Sequence, residues 1–569
     1  MMSRLLPLVA LSTLLTTTLH AATPAPPPTR VQVVVDTLHT IPIEDPYRWL
    51  EDKNAPETRD WVRAQMAFTM SQLDRVPGRD EVVASLAKFT RADTRSVPTV
   101  RGKRLFFTAR RADQQQPDLV LRESADGPDV TLVSADSMST DHTTSVNLVS
   151  VSSDGKLMAY GVRKGGEDEI QLRLYDVDAR RDLASGMPKG RYYGVSFDKA
   201  KRGFYYARWA PEGSRVRYHR MGDDASQDAL VFGEGLGPSI IPSARVSENG
   251  RWLMITVSVG SSGDDRRLYL KDLAANGPLV TVADTLHALI NADMVGDQLV
   301  IETNWGAPNH RVVVADARRP QPANWRTIVP ESPDAVIQDV SLVGGRVYVG
   351  VLQDVVAKLR VYGLDGTAGG EVPLPGMGSL TGVAGEWGGR EGFFAYSSFT
   401  QPSTIYRYDL TTGNARPWWR SSTPFPTDAY EVRQFSIRST NGAKVPFFVV
   451  ARKGWTYDGS NKVLLSGYGG FNVSVTSQFS PFVAAWLDLG GVYVSANLRG
   501  GSEFGESWHR DGMRANKQHT FDDFLNITQW LLTRGVCLRQ GLAISGGSNG
   551  GLLVGAAMTQ RPDLYGAVL

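Results

Sequence analysis

From about residue 90 to 425, apolar and polar positions alternate in short runs that are broken by Gly, Asp and Asn. Runs such as KLMAYGV, RWLMITVSV, QLVIET and RVYVGVL are rich in strand-forming residues and follow these breaks. The turn signals fall at Gly102, Asp154-Gly155, Asp198-Lys199, Asn249-Gly250, Gly296-Asp297, Gly344-Gly345 and Gly388-Gly389. A second run often follows and ends in a polar tight turn, as in QLRLYDVDAR and LRVYGLDG. Recurrence every roughly 45 to 50 residues predicts one blade per repeat, and so a seven-bladed β-propeller between residues 89 and 425. Such a ring covers each blade with its neighbours and leaves no long sheet edge exposed. Two β-sandwiches would explain the strands but not the sevenfold recurrence.

After residue 426 the pattern changes. YEVRQFSIRSTNGAKVPFFVVARKG reads as a hairpin turned at Asn441-Gly442. KVLLSGYGGFN and GGVYVSANLRGG are unbroken apolar runs ending in glycine loops, as buried parallel strands do. TFDDFLNITQWLLTRG predicts an amphipathic helix with Thr520 as N-cap and Gly535 closing it. LAISGGSNGG then supplies a strand and a turn into a further helix, Asn549 to about Gln560. Residues 426–569 are therefore expected to be doubly wound α/β, with ligand loops at the strand C-termini.

The N-terminal part differs from both. MMSRLLPLVALSTLLTTTLHAATPAPPPTR has a positive charge at Arg4 ahead of an apolar stretch from Leu5 to about Leu15, and small residues at Ala21 and Ala22. That predicts an export signal over 1–22, cleaved near Ala21 or Ala22, then a Pro-rich linker over 23–30. The apolar run is short of the ~20 residues needed to span a bilayer. A packing helix is predicted between about Pro56 and Leu73.

Composition narrows the function. The 569 residues exceed one ordinary domain. With 61 Lys plus Arg against 59 Asp plus Glu, the net charge is +2, and no basic run is interleaved with aromatics, so nucleic acid is excluded as a partner. The single cysteine, Cys537, rules out an intrachain disulfide. Neither a phosphate-loop pattern nor H-E-x-x-H occurs, and no metal or other cofactor is expected.

Gly546-Gly547-Ser548-Asn549-Gly550 fits G-x-S-x-G. In that motif glycines permit a sharp strand-to-helix turn that exposes a nucleophilic serine, and the following helix N-terminus favours a developing oxyanion. The competing reading is a glycine-rich turn with a solvated serine. A strand, an elbow and a helix in the right order favour the nucleophile.

GYGGFNVSV, SANLRGGSEFGESWHRDGMRANKQHTFDDF, ISGGSNGGLLVGAAMTQRPDLYGAV and DPYRWLED together resemble the prolyl oligopeptidase family of serine peptidases. The resemblance covers the N-terminal segment, the propeller and the remainder up to Leu569. It implies a propeller lidding an α/β-hydrolase domain, with residues 31–88 packing on the hydrolase part. Substrates would be short peptides, cleaved after proline. Carried over by position, Ser548 would be the nucleophile, Asn549 would give an oxyanion-hole N–H, Tyr468 would donate its hydroxyl to the same oxyanion, and Phe471 would line the proline pocket. Arg499, Glu503, Trp508 and His509 would support loops, with Ser502 standing where the family has a third glycine.

The family's triad runs Ser, Asp, His in chain order, so His509 and His519, which precede Ser548, are not expected to be the base. The resemblance places the catalytic Asp and His outside this sequence, leaving the hydrolase part incomplete after the nucleophile elbow and inactive alone. The expectation is an exported, secreted or periplasmic, monomeric serine peptidase, with no membrane attachment after signal cleavage. Two alternatives stay open: specificity for basic residues as in oligopeptidase B, and a non-catalytic propeller binding protein.

Overall fold

A computed structural model describes residues 24–260 and 264–569. The expected export signal, residues 1–22, lies outside the described residues. The chain forms two compact units, Met1–Ala84 and Ser85–Leu569. In the first, strands Val34–Leu38 and Ile41–Asp45 pair antiparallel across a two-residue turn. His39 and Thr40 both take positive φ there, as a right-twisted hairpin requires. The helix Pro56–Leu73 follows, with proline in its first turn, where the missing N–H costs nothing.

In the second unit, seven antiparallel sheets follow one another from Thr94 to Arg420. Six have four strands in simple order, and in the first both Thr94–Arg95 and Thr99–Arg101 pair with Arg104–Arg110. Each of the seven turn signals lies between the first and second main strands of one sheet. Two of these turns show why glycine stands there: Gly250 has φ 77° and a Cβ would sit 2.4 Å from Lys199 Cβ, while Gly344 has φ 58° and a Cβ would sit 2.7 Å from Leu410 Cδ1. The turns press on the neighbouring blade.

Seven apolar clusters lie between successive sheets, one per interface. The seventh joins the last sheet to the first, so the ring is closed. No strand from one end of the ring completes the sheet at the other end, and side chains alone make that closure. Trp418 stands edge-on to Phe107 and Phe393 and donates its indole N–H to Ala125 O at 2.8 Å. A cavity of about 800 Å³ is lined by all seven sheets.

Residues 430–568 form a six-stranded sheet in the order Tyr430–Arg438, Lys444–Arg452, Val492–Ala496, Val463–Ser466, Leu542–Ser545, Ala567–Val568. Neighbours among the first three are antiparallel, and the rest run parallel to Val492–Ala496. The run VPFFVVA, residues 445–451, is apolar throughout because both faces are covered. Val445, Phe447, Val449 and Ala451 point into a core shared with Phe524, Ile527, Leu531 and Leu553. Phe448 and Val450 enter a second core with Leu487 of the helix Pro481–Asp488 and with Phe399 and Phe425 near the last blade. Each face of this strand thus has its own core.

One expectation is corrected. Thr520 does not cap its helix, which spans Gln518–Thr533 and has Lys517 at the N-cap with no side-chain bond. Thr520 is fully buried, and its hydroxyl donates to Arg499 O at 2.7 Å. The glycine loop at Arg499 has recruited the hydroxyl that local capping would have used. Gly535, at φ 69°, closes the helix.

Candidate active site

The strand Leu542–Ser545 ends at the centre of the parallel region, and after three intervening residues the helix Asn549–Gln560 starts. Between them Ser548 takes φ 55°, ψ −121°. A non-glycine residue held there costs on the order of 1 to 3 kcal/mol, which the surrounding packing must hold. The packing is tight: a Cβ on Gly546 would lie 2.1 Å from Gly550 O, and one on Gly550 would lie 2.8 Å from Gly467 O. Gly547 has open space at that position, so only the two outer glycines of the motif are sterically required. Gly547 and Ser548 are exposed, whereas Asn549 and Gly550 are buried.

The N-terminal turn of the helix presents its amides to the serine. Gly550 N–H donates to Gly547 O and Gly551 N–H to Ser548 O, while the Asn549 N–H has no protein acceptor among the described residues. A free N–H at a helix N-terminus can donate to an anion placed beside the exposed hydroxyl. The Asn549 side chain is turned away, its Nδ2 donating to Tyr468 O at 2.5 Å. That bond docks the loop Gly467–Gly470 onto the elbow, and Gly470 leaves no room for a Cβ beside the Asn549 amide. Tyr468 is half-buried, its ring against Gly550. On the same loop, Phe471 and Asn472 take consecutive positive φ values of 54° and 56°, and the Phe471 ring is 48% exposed. The structure therefore brings Ser548, Asn549 and Tyr468 together and leaves an aromatic ring open on the adjoining turn.

Behind this loop, Arg499 is fully buried and forks onto Asp523 (Nη2 to Oδ1 2.6 Å, Nε to Oδ2 2.9 Å) and Asp511 (2.8 Å). Gly500, at φ 101°, would strike Gly469 O if it bore a Cβ, so the two glycine loops lie in contact. Lys517 Nζ donates to Gly469 O at 2.5 Å. Glu503 is buried, accepting from Val475 N–H at 2.9 Å and from Asn497 Nδ2 at 3.3 Å. Burial pushes its carboxyl up to about 7, against the pull of those bonds. Trp508 donates its indole N–H to Leu498 O.

Both histidines near the elbow are engaged elsewhere. His509 is buried, with Nδ1 2.7 Å from Gly500 O and Nε2 3.2 Å from Asp264 of the fourth blade. Burial works to lower its pKa, but the bonds to Asp264 and to the Gly500 carbonyl outweigh it and hold the ring's pKa above the ordinary value. His519 Nδ1 meets Asp511 and its Nε2 meets Asn441. Among the described residues no histidine hydrogen-bonds Ser548. Sequence reasoning missed Lys517, Asp523 and Asp264. Asp264 stands 245 positions from His509 and had no local signal.

Residues 26–421 match the model of the prolyl oligopeptidase N-terminal beta-propeller domain, and residues 477–569 match that of the prolyl oligopeptidase family. A prolyl endopeptidase of Elizabethkingia meningoseptica is 31% identical over 95% of this chain and 77% of its own length. A solved prolyl endopeptidase chain superposes with TM-score 0.90 at 35% identity, covering 96% of this chain and 82% of that one. Prolyl oligopeptidase B of Galerina marginata, bound to a hydrolysis and macrocyclization substrate, gives TM-score 0.86 at 25% identity, covering 95% of this chain and 81% of that one.

Proposed function

The chain belongs to the prolyl oligopeptidase family of serine peptidases, and from that premise we propose that it hydrolyses short peptides on the carboxyl side of proline through an acyl-enzyme on Ser548. The observation behind this reading is the elbow itself, where an exposed serine at φ 55°, ψ −121° stands beside an unused Asn549 N–H.

In this mechanism the Ser548 Oγ adds to the carbonyl carbon of the prolyl residue as a base takes its proton. The carbonyl oxygen, now an anion, receives hydrogen bonds from the Asn549 N–H and the Tyr468 hydroxyl. Two donors fixed where charge develops are worth far more in a dry site than in water. The tetrahedral species collapses, the proton passes to the leaving amine, and the C–N bond breaks to leave an ester on Ser548. Water then repeats the sequence and frees the acid. The open Phe471 ring offers an apolar face to the proline ring.

This reading takes the base to be a histidine oriented by a carboxylate, and the Galerina enzyme has been solved with a serine, an aspartate or a histidine replaced by alanine. Export, with cleavage near Ala21 or Ala22, and a monomeric state complete the reading. N-terminal sequencing of the mature protein and its mass in solution check these two points.

The reaction itself is tested by product analysis. The protein is given a peptide containing one Pro and one Arg, and the fragments are weighed. Cleavage after Pro is expected. Cleavage only after Arg would give the chain the specificity of oligopeptidase B, and an intact peptide would make it a binding protein.

A further inference from the structure

Where the Phe471 turn meets the sixth and seventh blades, a cavity of about 310 Å³ opens, at the lower end of the size small ligands occupy. Asn472, next to Phe471, forms part of its wall, and Asp339 and Ser379 of the propeller form another part. Asp339 is the one charged residue among the described residues lining it. Three polar atoms of this wall, Asp339 Oδ2, Ser379 Oγ and Asn472 Oδ1, are buried without a hydrogen-bond partner. Buried polar atoms are nearly always paired, and three orphans around one cavity mark a missing donor. The rest of the wall includes Val351, Leu352 and Leu380, which suit a hydrocarbon stem.

The space around the carboxylate is kept by glycine. A Cβ on Gly350 would stand 2.4 Å from Asp339 Oδ1, and one on Gly382 would stand 2.9 Å from Oδ2. We propose that this cavity receives the lysine or arginine side chain of a peptide substrate, its cationic head on Asp339 and its stem along Val351, Leu352 and Leu380. Ser379 and Asn472 then accept the remaining N–H donors. The proposal rests on the reading that a proline-containing peptide lies over Phe471, because Asn472 places the basic residue within a few positions of the proline. Burial and the nearby Glu302 carboxylate push the Asp339 carboxyl up to about 6, against the pull of the Ser341 hydroxyl, and a bound cation would offset this by favouring the charged carboxylate.

The test is equilibrium binding to the full-length protein carrying Ser548→Ala, so that peptide is not consumed. Dye-labelled peptides with one proline place lysine, norleucine or acetyl-lysine in turn at each of the neighbouring positions. At one position lysine should bind on the order of tenfold or more tighter than norleucine or acetyl-lysine. Asp339→Asn should bring that ratio to about one, and in the unsubstituted cavity the ratio should shrink as pH falls through the carboxyl's range. Glu302 is the charged group facing Asp339, and Glu302→Gln should leave the lysine preference in place. Equal binding of the three peptides at every position, or a preference that survives Asp339→Asn, overturns the proposal. If no proline peptide binds at all, the peptidase reading fails first and this proposal falls with it, so the two failures are told apart.

Discussion

Tyr468 contributes one hydroxyl to the proposed oxyanion site, and its backbone is already fixed by the Asn549 side chain. Tyr468→Phe should therefore keep the loop and lower kcat by about 2 to 4 kcal/mol of transition-state stabilisation, with a smaller effect on KM. A rise in KM with kcat unchanged would make Tyr468 a packing residue. Glu503 gives a pH prediction. Its folded pKa of about 7 lies above the ordinary carboxyl value, so the folded state holds a proton that the unfolded chain releases. Its contribution is fully present at low pH and is lost as pH rises from about 4.5 through 7. The stability difference between wild type and Glu503→Gln should shift by on the order of 3 kcal/mol across that window, measured by denaturant unfolding at pH 5 and pH 8. An unchanged difference would show Glu503 to be ionised and compensated. At this scale Ser548 was legible because its glycines must be adjacent in sequence. Asp339 and Asp264 were not, since only ring closure and docking bring them beside Asn472 and His509.

Among elements, the seven turns were legible because each needs glycine or a short polar residue at a fixed place in its blade. The helix Pro481–Asp488 went unread, although Ser480 accepts from Val483 N–H and Pro481 opens it. Its apolar run, PFVAAWLD, is too short to show a helical period. The Thr520 correction has a similar cause: a residue fit to cap was drawn into a tertiary bond that no local pattern reveals. The elbow yields a paired prediction. Gly546→Ala should destabilise the hydrolase part by about 3 kcal/mol or more, because its Cβ meets backbone rather than a side chain that can move. Gly547→Ala, with open space, should stay within about 0.5 kcal/mol. Thermal unfolding of both variants checks the pair, and equal losses would contradict the elbow geometry.

For the whole molecule, the interface between the first and last blades is the joint where, among the described residues, side chains close the ring without a strand crossing over. Trp418→Ala removes two edge-on ring contacts and the bond to Ala125 O and should cost about 3 kcal/mol. Limited proteolysis should then cut first near residue 94 or residue 420, whereas cuts in the middle blades would place the joint elsewhere. The central claim is that this scaffold presents Ser548 as the nucleophile of a prolyl peptidase. It is tested most directly by treating the protein with a fluorophosphonate and mapping the adduct by mass spectrometry. One equivalent on Ser548, with labelling and cleavage after proline both lost in Ser548→Ala, is the predicted result. Undiminished labelling of Ser548→Ala, or an adduct on another residue, would contradict it.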